Sequence, residues 1–162
     1  MNSRRIVGGV LILIALAILA PLTALAGTTP GEVEQFKQIK AEAEKGDKGA
    51  QYVIGNYYRV GFGVEKSDKE AATWYQRSAE QGVDIAQYYL GNYYAEGVGV
   101  PKDLVEAYAY LNLAGVAFGD ARRNRDKLES KMSPDQITAG QKRSRELQKE
   151  IEAKLAAKKA GK

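Results

Sequence analysis

The sequence predicts an all-α fold, an α/α solenoid of antiparallel helix pairs closed by a long C-terminal helix, and three observations carry that prediction. Residues 46–81 return 36 residues later as 82–117, with 14 identities and no gap, from Gly46/Gly82 through Gln51/Gln87, Gly55/Gly91 and Tyr58/Tyr94 to Ala71/Ala107. A period of this length marks a supersecondary unit that cannot bury its own apolar face and stacks on a neighbour. Helix-start signals recur as well: Thr29, Ser67, Asp103 and Ser133 each stand three residues before a Glu or Gln. That spacing resembles a capping box, in which the two side chains satisfy orphan backbone donors. Stop signals recur as Gly61-Phe62-Gly63-Val64 and Gly97-Val98-Gly99-Val100, because glycine tolerates the positive φ with which helices end.

Taken in order, the chain opens with Arg4 and Arg5, an apolar run, Pro21 and then Ala24-Leu25-Ala26. This is the order of a secretory signal peptide, cleaved after Ala26, which places the folded part outside the cytoplasm, in the periplasm. Residues 6–25 also suffice, at about 1.5 Å per residue, to cross the roughly 30 Å hydrocarbon core, so an uncleaved inner-membrane anchor is the alternative. Residues 27–46 form an N-terminal capping helix over 30–45, where Phe36, Ile39 and Ala43 fall at helical spacing. Adding one period to Ala43 lands on Ala79, so this helix is a degenerate second helix of a preceding pair. Residues 46–121 hold two helix pairs, at 47–60 with 68–81 and at 83–96 with 103–117. Residues 122–162 supply capping helices at 119–131 and from 134 to about 157, with residues 27–29 and 158–162 expected to be disordered.

Ala50, Ile54, Gly55 and Tyr58, with Ala86, Leu90, Gly91 and Tyr94, make stripes at three- and four-residue spacing. Gly55 and Gly91 each cost about 1 kcal/mol of helix propensity relative to Ala, which close helix approach must offset. Ala71, Trp74, Tyr75 and Ser78, with Ala107, Tyr110, Leu111 and Ala114, form the facing stripes of the second helices.

Composition narrows the chemistry. There is no Cys and no His, so the fold has no disulfide and lacks the usual ligands for zinc, copper and haem, leaving only oxygen sites for hard cations. No cofactor, metal or catalytic residue is assigned. Ser78, Ser130, Ser133 and Ser144 sit in helix or cap contexts, outside any Ser-x-x-Lys or Gly-x-Ser-x-Gly frame, and nothing in the spacing singles out two of the 20 acids as a catalytic pair. The paired glycines lack the strand and the Lys-Ser/Thr ending of a phosphate-binding loop. Charge is unevenly placed: residues 27–120 carry 9 basic against 14 acidic residues, a net −5, whereas residues 121–162 carry 13 against 6, a net +7. Export argues against nucleic acid as the partner of that basic tail, and its interleaved signs fit a solvated helix face.

The motif Ala50-x-Tyr52-x-Ile54-Gly55-x-x-Tyr58-x-x-Gly61-x-Gly63-Val64, continued by Ala71-x-x-Trp74-Tyr75-x-x-Ser78-Ala79-Glu80-Gln81-Gly82, resembles the Sel-one-like repeat, a relative of the tetratricopeptide repeat. The second copy is similar through Gly91, Tyr94, Gly97, Gly99, Asp103 and Ala107, then departs at Ala114-Gly115-Val116-Ala117-Phe118-Gly119, one residue longer than the first. Residues 121–141 resemble the terminal helices of short exported bacterial members. The resemblance implies a superhelix that binds proteins or peptides and organises complexes; it implies no reaction.

In such arrays the first helix of each pair faces the concave side. Tyr52, Tyr58, Tyr88 and Tyr94 are expected in the core, and Asn56, Tyr57, Tyr89, Asn92 and Tyr93 on the exposed flank as the candidate partner-binding residues. Tyr offers contact area at low entropic cost, and Asn can pair with a backbone amide. The function expected is an exported adaptor or scaffold holding a protein or peptide partner. The alternative is an envelope structural or polysaccharide-associated protein that docks through its basic C-terminal helix.

Overall fold

A computed structural model describes residues 28–161. The expected leader or anchor lies outside them, and among the described residues no helix is long and apolar enough to cross a membrane. Seven helices follow one another among the described residues: α1 (Pro30–Glu44), α2 (Lys48–Val60), α3 (Asp68–Ala79), α4 (Asp84–Glu96), α5 (Leu104–Ala114), α6 (Gly119–Glu129) and α7 (Pro134–Ala160). There is no strand among the described residues. The sequence boundaries hold to within a few residues, with two corrections. Thr29 is ordered as the α1 N-cap, and residues 158–160 continue α7.

The predicted caps are the N-caps of α1, α3, α5 and α7. Only Thr29/Glu32 and Ser133/Gln136 close the reciprocal box. Ser67 and Asp103 accept the backbone N–H groups, but Glu106 reaches instead to Arg143 of α7, at 2.7 Å. Gly61 and Gly97 end α2 and α4 in the left-handed region, at φ 82° and 75°, where a side chain would be strained.

Two contacts repeated at the period show that α1 is a second helix in register. Gln51 Nε2 donates to the carbonyl of Ala43 (3.1 Å), as Gln87 Nε2 does to that of Ala79 (3.3 Å). Gly63 lies against the carbonyl of Glu32, as Gly99 lies against that of Asp68, too closely for any Cβ. Each pair of contacts is displaced by one repeat at both ends. Where α3 turns buried Ala71, Trp74, Tyr75 and Ser78 toward α2, α1 carries Gln35, Gln38, Ile39 and Glu42, of which only Ile39 is apolar, so its outer face is that of a cap.

The core stripes pack as expected. Tyr75, Ile54, Leu90 and Leu111 are fully buried, and a Cβ on Gly55 would stand 2.6 Å from the Tyr75 ring. Small residues there let two helices approach until a ring lies on backbone, which is what offsets the helix-propensity cost. The final helix departs from the repeat path. Gly140, Ser144, Leu147 and Ile151 form its inner stripe; Gly140 sits beneath Tyr108 of α5, and Ile151 and Leu155 meet Gly82 in the α3–α4 turn. Lys154 then bonds Glu80 (2.7 Å) and Lys158 bonds Gln81 (3.3 Å), so α7 runs back over α5 to the C-terminal end of α3 and the turn that follows it.

The turn closing the second repeat corrects the sequence alignment. Val83 N-caps α4 and Phe118 N-caps α6, a spacing of 35, so the second repeat closes one residue earlier than the first, not one later: α5 has 11 residues where α3 has 12, and the turns that follow are equal in length. The backbone bonds Gln81 N→Ser78 O and Val116 N→Leu113 O make Val116 the counterpart of Gln81. Gln81 donates to Gln51 Oε1 at 2.8 Å, whereas Val116 is 87% exposed and Gln87 Oε1 is buried without a partner.

Candidate functional site

The first helices of the pairs, α2 and α4, present the residues expected to bind a partner, and the structure divides them. Asn56, Tyr89 and Tyr93 gather around Tyr75 of α3. The Tyr75 and Tyr89 rings stack at 5.2 Å and 14°, Tyr93 meets Tyr75 edge-on at 5.5 Å, and Tyr52 lies 6.1 Å from both Tyr75 and Tyr89. Tyr57 belongs to the N-terminal cluster, beside Phe36 and 4.6 Å from Phe62. Asn92 lies elsewhere, accepting at 2.8 Å from Asn124 of α6.

Three expectations about these residues need correction. Tyr93 is only 8% exposed and packs in the core between the repeats; α3 covers it with Tyr75, where α1 offers Tyr57 only Ile39 at the equivalent position. Tyr52, Tyr58, Tyr88 and Tyr94, expected to be core, are half-buried at the margins of the clusters. The asparagines bond within the chain: Asn56 Nδ2 donates to the carbonyl of Tyr52 (3.3 Å) and Asn92 Nδ2 to that of Tyr88 (2.8 Å), the same bond one turn back on the same helix.

The organising cation escaped the sequence reading. Arg59, half-exposed at the end of α2, lies over the Tyr89 ring with its guanidinium carbon 5.4 Å from the centroid. Its Nε donates to the Tyr75 hydroxyl (3.2 Å), and Nε and Nη2 both donate to Asn56 Oδ1 (3.4 and 3.3 Å). The Tyr75 hydroxyl donates to the same Asn56 oxygen (3.0 Å). Burial pushes the Tyr75 phenol well above its ordinary range despite Arg59 beside it, and burial with Asp68 nearby pushes Tyr93 up to about 12. Both phenols are neutral at physiological pH, so the Tyr75 proton stays available to Asn56 and the guanidinium keeps its charge. The signal for Arg59 and Tyr75 lay in their failure to repeat: one period on stand Ala95 and Leu111.

Other polar groups have structural work. Ser78 Oγ donates to the carbonyl of Lys48 (2.7 Å) and Ser144 Oγ accepts from Asn112 (2.9 Å), and both serines are buried. A cleft of about 350 Å³ between α3, α5 and α7 is lined by Glu80, Glu106, Glu150, Arg143, Tyr94 and Tyr110. Its charges answer one another, since Arg143 bonds Glu106 at 2.7 Å and Glu150 at 3.0 Å. With Lys154 on Glu80, the basic tail uses part of its charge to hold itself against the array.

Comparison with known proteins gives the same architecture. The Sel1 repeat model matches residues 49–83 and 84–115. A Sel1 repeat protein from Oxalobacter formigenes is 35% identical with a TM-score of 0.56, over 58% of this chain and 71% of that one. A protective antigen of uropathogenic Escherichia coli displaying an SLR fold is 30% identical with a TM-score of 0.70, over 78% of this chain. The chain spans 27% of that antigen's length. No curated protein matches.

Proposed function

The chain belongs to the Sel1 repeat family, and from that premise we propose that it is an exported scaffold holding a protein or peptide partner on the flank of α2 and α4. The observation that carries this reading is the half-exposed constellation of Arg59, Asn56 and Tyr89. These side chains are fixed by packing and hydrogen bonds before any partner arrives, so association costs little further side-chain entropy. Tyr and Arg are also the residue types that dominate interface energetics. Because α7 packs on α5 and the C-terminal end of α3, away from Arg59 and Tyr89, the flank is left open. Export is supported by Arg4, Arg5, the apolar run after them and the Ala24-Leu25-Ala26 site.

A photo-crosslinking amino acid placed at Asn56 or Tyr89, with Lys149 on the outer face of α7 as the comparison position, tests the reading in cells. A discrete cross-linked partner from the α2/α4 positions is the expected result. Cross-links from Lys149 alone would overturn it in favour of docking through the basic tail.

A further inference from the structure

Resting on the scaffold reading above, the geometry points to Arg59 as the anchor for a single carboxylate, carried by an Asp or Glu side chain within the bound peptide, with an apolar or aromatic neighbour seated on Tyr89. A guanidinium has two edges that grip an oxygen pair: the side edge, Nε with Nη2, and the end edge, Nη1 with Nη2. In Arg59 the side edge is closed by Asn56 Oδ1. Among the described residues Nη1 donates to no partner, and it is not fully buried, so the end edge is left without an acceptor.

That edge has no counter-ion. Among the described residues Arg123, Arg125 and Arg143 each have an acid within ion-pair distance, while Arg59, Arg77, Arg122 and Arg145 have none; of these four, Arg77, Arg122 and Arg145 are exposed, and Arg59 alone is half-buried and held by side-chain hydrogen bonds. A half-buried cation, immobilised by an amide and a phenol and left without a carboxylate, is already oriented for one from outside. Its surroundings limit the ligand further. Residues 27–120 are net −5, so a run of acids is repelled by the array as a whole and one carboxylate is placed by one cation.

The carboxylate belongs to a side chain because apolar surface continues on both sides of Arg59. Val53, Tyr57 and Val60 follow one another along α2 at helical spacing, with Val60 58% exposed. Tyr89 of α4 lies on the other side, beneath the guanidinium. A peptide crossing from one patch to the other passes Arg59 in mid-chain.

Panning a random displayed-peptide library on the full chain tests this. The expected motif is Asp or Glu beside Phe, Tyr, Trp or Leu. In a synthetic peptide from that selection, changing the acid to its carboxamide weakens binding to the wild-type chain by about tenfold or more and binding to Arg59→Gln by less than about twofold, a cycle that isolates the pair. Amidating the peptide's C-terminus leaves binding unchanged. If Arg59→Gln loses helical circular dichroism, Arg59→Lys replaces it, with a carboxamide effect below the wild-type value because Lys lacks the fork.

Equal carboxamide losses in wild type and variant, or a loss produced only by C-terminal amidation, would overturn the proposal. Acid-free peptides whose binding falls on Tyr89→Ala would refute the anchor while the flank stands as a binding surface. Selection of no peptide sensitive to Tyr89 or Arg59 would refute both.

Discussion

Replacing Gly55 by Ala sets local propensity against tertiary packing. Alone in a helix interior, the change gains about 1 kcal/mol. In this fold the new methyl stands 2.6 Å from Cδ1 and Cε1 of Tyr75, about 1 Å inside ordinary contact. The ring has no room to retreat, being fully buried, stacked on Tyr89 and met edge-on by Tyr93. Overpacking of this kind costs about 1–3 kcal/mol, so the net effect is a destabilisation of up to about 2 kcal/mol. Urea denaturation followed by circular dichroism reads it as a lower midpoint at unchanged slope. The same substitution in a Tyr75→Ala background, which removes the ring, should lose most of its cost; Leu would not serve, since in the second repeat a Cβ on Gly91 would stand 2.8 Å from Leu111 Cγ. A gain of about 1 kcal/mol from Gly55→Ala in the wild-type chain would show that the helices tolerate a wider spacing, and the account of why the repeat keeps glycine there would be wrong.

Trp74, 4% exposed between Phe36, Ala43, Ala50 and Ile54, should cost about 3–5 kcal/mol on truncation to Ala; a loss under about 1 kcal/mol by denaturation would place it outside the core. Val116→Gln should stabilise by about 1 kcal/mol by giving the buried Gln87 Oε1 the donor that Gln81 gives Gln51, and an unchanged melting midpoint would mean that the turn after the shortened α5 holds the new side chain out of reach. The phenols of Tyr75, Tyr93 and Tyr110 are raised by burial from an ordinary value of 10.0. A raised folded value means that the neutral phenol is the favoured native form, so this stability is complete below pH 10 and is lost as pH climbs, by about 12 for Tyr93 and above that for Tyr75 and Tyr110. Tyrosinate absorbance and helicity should change together there, whereas phenols titrating near 10 with helicity intact would show them to be solvated.

The helices, their caps and their register were legible because each rests on a local rule that the sequence states twice. Ala43 and Ala79 foretold that α1 is a second helix, and the contacts of Gln51 and Gln87 bear it out. Exposure was less legible. A helical wheel gives Tyr57 and Tyr93 the same orientation, yet what covers each is set by the preceding second helix, which offers Ile39 to one and Tyr75 to the other. The path of α7 was hidden for a related reason: its inner stripe of Gly140, Ser144, Leu147 and Ile151 declares a buried face without naming the surface that buries it.

This division explains why the candidate site was found only in part. Residues that repeat faithfully answer a demand that recurs in every unit, and here the demand is packing: Gly55 and Gly91 lie under a side chain, and Asn56 and Asn92 bond one turn back. A binding surface need exist only once. Arg59 and Tyr75, which become Ala95 and Leu111 in the next unit, are departures from a period kept closely around them, and they meet across two helices to form one hydrogen-bonded group with Asn56. Tyr75→Leu together with Arg59→Ala would give the first repeat the second repeat's residues at those places. Such a chain should remain helical, since the second repeat packs with those residues, while losing the partner cross-linked through Tyr89. Retention of that cross-link would mean that recognition resides in what the two repeats share.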